Sequence, residues 1–323
     1  MEAKRSQDGR RGGFAVMIRL AIGLISVPLF STLLQATPAL AGEDHGNTPL
    51  MAAAQRADLA TMRTLLDRGA DPNAHNLLGA TPLMFAASAK PANHPSPKTA
   101  PAAIQLLLDR GAMVNTQSNN GRTALIDAAA QGNPESVRLL LAAGADANAR
   151  TQFGDTALLE ATARGYTDIT VLLLQSGART EDVNANGQTA LMLAIGQAPQ
   201  YSQQMSPYEP IALALLQRGA NPNVRDRNGQ TPLSLVATGD KTVLAYPLLE
   251  HKADVNVTDP TAADATPLII AARHGNVPLV KVLLRHNADV ARRDRLGKTA
   301  LRYAKKSGYS EIESLLTQAG AKE

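Results

Sequence analysis

The sequence contains no cysteine and no tryptophan, and its aromatic residues amount to six Tyr and four Phe in 323 positions. Without thiols there are no disulfides, no zinc–thiolate sites and no cysteine nucleophile. An aromatic content of 3% argues against a β-sandwich core, which leans on aromatic and β-branched residues. Hydrophobic residues still make up 44%. Alanine and leucine dominate them, which suits closely packed short helices. Catalytic signatures are missing too: there is no G-x-S-x-G, no P-loop, no G-x-G-x-x-G and no H-E-x-x-H. The histidines His45, His75, His94, His251, His274 and His286 include no pair at helical metal-ligand spacing. "DPNAHN" and "DANART" open like calcium loops but lack the later Gly and Glu, and read as turns. The expectation is no metal, no cofactor and no enzyme.

The charge balance needs one correction. Lys4, Arg5, Arg10, Arg11 and Arg19 precede the apolar run "LAIGLISVPLF" and then "STLLQATPALA". This is the pattern of a signal peptide over residues 1–41, and the A-x-A spacing of Ala39 and Ala41 places cleavage after Ala41. Met17 offers a second start. Left uncleaved, residues 20–34 are nearly long enough to span a bilayer. Residues 1–41 hold five of the 32 basic and two of the 28 acidic residues, so the remainder carries 27 against 26. A pI of about 9.4 therefore does not imply nucleic-acid binding.

What the chain does have is a repeat. "GNTPLMAAAQ" at 46 returns as "GATPLMFAAS", "GRTALIDAAA", "GDTALLEATA", "GQTALMLAIG", "GQTPLSLVAT", "DATPLIIAAR" and "GKTALRYAKK". The threonines Thr48, Thr81, Thr123, Thr156, Thr189, Thr231, Thr266 and Thr299 are spaced by 33, 42, 33, 33, 42, 35 and 33 residues. Each Thr suits a helix N-cap, several with Pro at the first helical position. A Leu two residues on and a small residue three further on (Leu50 and Ala53 in the first copy) form a buried i, i+3 stripe. Gly132, Gly165, Gly275 and Gly308 suit left-handed C-caps. A second helix buries Leu65, Leu107, Leu140, Leu173, Leu215, Leu248, Leu283 and Leu316.

A 33-residue period with T-P/A-L and a later L-L-x-x-G-A-D resembles the ankyrin repeat, over about residues 43–321. The resemblance implies an all-α fold, an ankyrin-repeat solenoid of eight helix-turn-helix repeats with short turns between them. The repeats fall at about 44–76, 77–118, 119–151, 152–184, 185–226, 227–261, 262–294 and 295–323 of a domain spanning 42–323. Both 42-residue intervals carry nine extra residues between first and second helix, at about 90–101 and 197–210. The four prolines in the first of these thus mark a loop, not a domain boundary, and its closure costs little. Between Asn256 and Thr266 two residues are gained and Asp264 replaces the usual Gly, so that turn takes another shape. The His that often follows T-P-L in the family is absent, leaving Asn73, Asn115, Asn148, Asn223 and Asn256 to hydrogen-bond the turns.

The resemblance further implies a protein or peptide partner gripped by turn tips and outward positions of the first helices. The candidates are Leu77, Leu78, Phe85, Asp127, Phe153, Glu160 and Tyr303, with Tyr201, Met205 and Tyr208 on the second inserted loop. Aromatic side chains weigh most, because hot spots favour them. Eight units of 33 and 18 inserted residues fill the length after residue 41, leaving none for a catalytic domain. The reading is an exported, monomeric, non-catalytic scaffold, periplasmic or secreted, without nucleic acid and without stable membrane insertion once the leader is removed. The alternatives are a membrane-tethered spacer or a secreted host-directed effector.

Overall fold

The computed structural model describes residues 45–89, 99–197, 207–239 and 241–322. The chain divides into two units, 1–45 and 46–323, and all described helices belong to the second. Ala39, Ala41, His94, Tyr201 and Met205 lie outside the described residues, as do most of both inserted loops.

Among the described residues sixteen α-helices form eight pairs. In chain order these are α1 Pro49–Gln55 and α2 Leu59–Asp67, α3 Pro82–Ala87 and α4 Thr99–Asp109, α5 Ala124–Gln131 and α6 Pro134–Ala142, α7 Ala157–Ala163 and α8 Thr167–Gln175. The rest are α9 Ala190–Gln197 and α10 Tyr208–Gln217, α11 Pro232–Thr238 and α12 Ala245–Glu250, α13 Pro267–His274 and α14 Val277–Arg285, α15 Ala300–Ser307 and α16 Ser310–Gln318. Odd-numbered helices pack on odd-numbered neighbours and even on even, giving two layers.

Each first helix begins where its Thr predicts. All eight threonine Oγ1 atoms accept from the backbone N–H three residues on, at 3.2–3.5 Å. Such a cap is worth roughly 1 kcal/mol, and its repetition fixes the register of the whole layer. The Leu and small-residue stripe is buried in every copy, from Leu50 and Ala53 to Leu301 and Ala304. Alanine lets the helices approach closely, as helices without long side chains at their contact do. The second-helix leucines are buried with one exception. Leu65 is only partly covered, and Met62 and Leu66 fill the core of its helix instead. Leu65 faces the N-terminal end of the stack, where it lines a shallow hollow with Pro49, Leu50, Ala70 and Ala74.

The turns are held by two rows of polar side chains. In the outer row the side-chain oxygens of Asn73, Asn115, Asn148, Asn223 and Asn256 accept from Met113, Asp146, Arg179, Asp254 and Asp289 N–H of the next repeat, at 2.7–2.8 Å. The first four also donate to a carbonyl of that repeat, at 2.9–3.2 Å. Asparagine suits this place because one side chain carries both donor and acceptor. The fourth repeat has Glu181 there, which accepts from Asn221 N–H at 2.9 Å. The inner row lies five residues before each regular Thr. Asn76, Thr151, Asn184, Asp226 and Asp294 are buried and accept from two N–H groups of their own turn.

The enlarged turn differs as its sequence predicts. Pro260–Ala262 form a single 3-10 turn, and Ala263 and Asp264 take the left-handed φ that Gly occupies elsewhere. Asp259, fully buried, takes the inner-row place and accepts from Thr261 N–H and Oγ1 at 2.8 and 2.6 Å. The Asp264 carboxylate then pairs with Arg295 at 2.9 Å.

Glycine is required where a left-handed turn also touches a neighbour. At Gly132 φ is +75°, and an added Cβ would lie 2.5 Å from Cζ of Tyr166. That ring, one repeat further on, covers the glycine. Tyr309 covers Gly275 in the same way, and Tyr208 covers Gly165.

Candidate interaction face

Turn tips and first-helix positions four residues after each Thr form the face on which the candidates fall. Leu77, Leu78 and Phe153 stand at the tips, 75%, 53% and 62% exposed. Phe85 is half-buried and packs on the core edge.

Asp127 and Glu160 belong to an ion network across the third and fourth repeats. Arg122 Nε meets Asp127 at 2.6 Å and its Nη1 reaches Glu160 at 3.4 Å, while Arg164 Nη2 meets the other Glu160 oxygen at 2.9 Å. Arg122 immediately precedes Thr123, and Glu160 sits on α7, so one guanidinium links two repeats. Burial pushes the Asp127 carboxyl above the usual range, and Arg122 opposes it only in part. Burial works against charge on Arg122 as well, but Asp127 and Glu160 hold its guanidinium above the ordinary value. Asp155, beside this network, is raised by burial and then by the Glu160 charge, and no cation lies within 4 Å of it among the described residues. The arrangement presents fixed charges beside exposed apolar tips. It offers a surface suited to recognition. Among the described residues no group of His, Asp or Glu could hold a metal ion.

Two candidates are placed differently from expectation. Tyr303 is 9% exposed, not outward. Its hydroxyl donates to Asp294 Oδ2 at 2.6 Å, and Lys298 Nζ lies 5.3 Å above its ring. Leu193 and Ile270, at the same register, are buried as well. Tyr208 is half-buried on α10, with its ring against Gly165 and its hydroxyl donating to Ala163 O at 3.4 Å. Tyr303 and Tyr208 therefore serve packing. Arg122 and Arg164 are the members that pattern reading passed over. The i, i+4 spacing of Glu160 and Arg164 was available as a signal, whereas the 38 residues between Arg122 and Glu160 are not a helical interval.

With fold and face described, the kinship is direct. A family model for tandem ankyrin repeats matches residues 50–151, 128–204 and 236–323, and the single-repeat ankyrin model matches 186–227. The chain belongs to the ankyrin repeat family. Among solved structures it resembles an ankyrin repeat domain from Acinetobacter baumannii AYE, with 32% identity and a TM-score of 0.55, over 64% of this chain and 98% of that one. Among curated proteins an ankyrin repeat and KH domain-containing protein of Caenorhabditis briggsae is 42% identical over 53 residues. That segment is 16% of this chain and 2% of the relative's length. Ankyrin repeats generally mediate protein–protein interaction, and the fold is typically a non-catalytic module.

Proposed function

We propose that this chain is an exported, monomeric, non-catalytic scaffold that binds a protein or peptide partner through the tips and first helices of its second to fourth repeats. The observation that carries the reading is the exposure of Leu77, Leu78 and Phe153 beside the fixed charges of Arg122, Asp127, Asp155 and Glu160. Exposed apolar anchors ringed by charge are how a recognition surface combines affinity with orientation. Phe85 borders the same surface. The basic and apolar character of residues 1–41 and the A-x-A pair Ala39 and Ala41 support export to a periplasm or beyond the cell. No helix among the described residues is long and apolar enough to cross a membrane. Tyr201 and Met205 extend the proposal to the second inserted loop.

The test is affinity capture of tagged protein at native level from the periplasmic fraction, comparing wild type with a Leu77→Ser/Phe153→Ala variant. A stoichiometric companion held by the first and lost from the second supports the reading. A companion retained equally by both, or none, sinks it. Trimming 197–210 in parallel reports on the loop.

A further inference from the structure

The near-neutral overall charge hides a strongly one-sided region. Residues 270–309 hold ten Lys or Arg against two Asp, while the whole chain holds 32 against 28. Both aspartates are already committed. Asp289 pairs with Arg292 at 3.5 Å, and Asp294 is buried, accepting from Leu296 N–H, Lys298 N–H and the Tyr303 hydroxyl. The neighbouring Asp264 pairs with Arg295, and Glu311 with Lys281. This leaves Arg293, Lys298, Arg302 and Lys306 with no carboxylate within 4 Å among the described residues.

The placement of these cations is not dictated by folding. Three residues after the Thr, the earlier repeats carry Met51, Met84, Ile126, Leu159, Met192, Ser234 and Ile269, all buried. At the last described repeat the position is exposed and carries Arg302, with Lys306 one turn on along α15. A solvated end face needs polar side chains but not of one sign, and for solubility alone acidic residues serve better. Among the cations Leu296 stands 64% exposed at the tip, flanked in sequence by Arg293, Arg295 and Lys298.

We infer that the tip and end face of the last repeat dock an acidic protein segment that places one apolar side chain against Leu296. Its carboxylates meet Arg293, Lys298, Arg302 and Lys306. The surface is distinct from the one around Phe153, so either can fail alone. A protein segment fits better than the other polyanions. Single-stranded nucleic acid is held by a series of stacking rings, and here Tyr303 is buried and Tyr309, 37% exposed, lays its ring against Gly275. A membrane surface is entered by a row of apolar side chains, and here there is one leucine.

The experiment is fluorescence anisotropy on the full chain. The probes are a labelled 14-residue peptide alternating Glu and Leu, its Lys/Leu counterpart, phosphatidylcholine vesicles with one quarter phosphatidylglycerol, and a 20-nucleotide oligothymidylate. The expected result is saturable binding of the acidic peptide alone, weakened by raising NaCl from about 50 to 300 mM. The triple reversal Arg293→Glu/Arg302→Glu/Lys306→Glu weakens it at least roughly tenfold, as three lost exposed pairs do. Leu296→Ala also weakens it, and Phe153→Ala does not. Far-UV circular dichroism checks that each variant keeps its helices. Equal binding of both peptides, preference for vesicles or oligonucleotide, no binding of the acidic peptide, or indifference to the reversals overturns the inference.

Discussion

Glu160 and Tyr303 stand at one register, four residues after Thr156 and Thr299, and the molecule uses them in opposite ways. The difference begins at the inner row. In the fourth repeat that place is Thr151, whose single oxygen is taken up by Phe153 and Asp155 N–H at 3.2 and 3.1 Å. It has no acceptor left for the helix, and Glu160 pairs with Arg122 and Arg164. In the last repeat the place is Asp294. One oxygen holds the turn and the other accepts from Tyr303 at 2.6 Å, drawing the ring under Lys298. In these two repeats the difference lies in the tip residue nine positions upstream, Thr151 or Asp294, and in whether it has an acceptor left for the helix.

The sharpest way to stress the frame shared by both regions is at glycines of like φ. Gly132 and Gly69 have φ of +75° and +86°, yet a Cβ meets the Tyr166 ring at the first and nothing within 4 Å at the second. Gly132→Ala is expected to cost about 2–4 kcal/mol, strain plus a displaced ring. Gly69→Ala pays for backbone strain alone, about 1 kcal/mol. Urea titrations followed by far-UV circular dichroism read both, since the chain holds no tryptophan. Equal losses would show that the ring moves aside freely.

Acid should separate the two regions. Burial works against charge on Asp294, but the Tyr303 hydroxyl, the two turn N–H groups and Lys298 together hold its carboxyl below the ordinary 3.8. Its contribution is present above 3.8 and is lost as pH falls through the lowered value. Asp155 is raised, so its contribution is present below 3.8 and lost as pH rises through the raised value. Asp294→Asn should therefore cost about 1–3 kcal/mol at pH 7, with a smaller penalty in acid. Asp155→Asn should gain slightly at pH 7 and nothing below pH 3.8. Denaturant midpoints at pH 7 and near 3.5 decide it, and parallel behaviour of the two variants would break the comparison.

Tyr303→Phe removes only the hydroxyl that donates to Asp294. The loss should be about 1–2 kcal/mol, the worth of a hydrogen bond to a charged acceptor. Because the ring still fills its place, partner capture should not change. Lost capture without lost stability would return Tyr303 to the recognition surface.

Most of the fold was legible because it is carried by residues whose role is local. A Thr cap, a Leu two positions on and a small residue after it act within one helix, and eight copies repeat the message. The outer-row asparagines were legible too, since the missing family His left turns in need of a donor and acceptor. What failed depended on neighbours that the period does not describe. Leu65 has the core pattern but lies at an end of the stack. Tyr303, Leu193 and Ile270 occupy an outward register but are covered by their surroundings. The Gly–Tyr contacts had left a trace, a Tyr directly after the C-cap glycine at Tyr166 and Tyr309. Their partner, however, is the glycine of the preceding repeat. Of the face itself, Leu77, Leu78 and Phe153 could be read as tips, while the Arg122 bridge required knowing which repeats touch.

Phe153→Ala has the smallest expected effect on the fold and bears most directly on function. The ring is 62% exposed, and its turn is held by Thr151 and by Gly154, neither of which needs it. Removing it should change stability by no more than about 0.5 kcal/mol, as surface substitutions do. Partner capture, by contrast, should fall sharply, because a truncated aromatic anchor costs about 2 kcal/mol or more of binding, some thirtyfold. The paired readings separate the two regions. Tyr303→Phe spends its effect on stability and leaves binding alone, whereas Phe153→Ala does the reverse. A destabilised Phe153→Ala would mean that the tip ring packs as Tyr303 does, and the surface assigned to recognition would then be part of the fold.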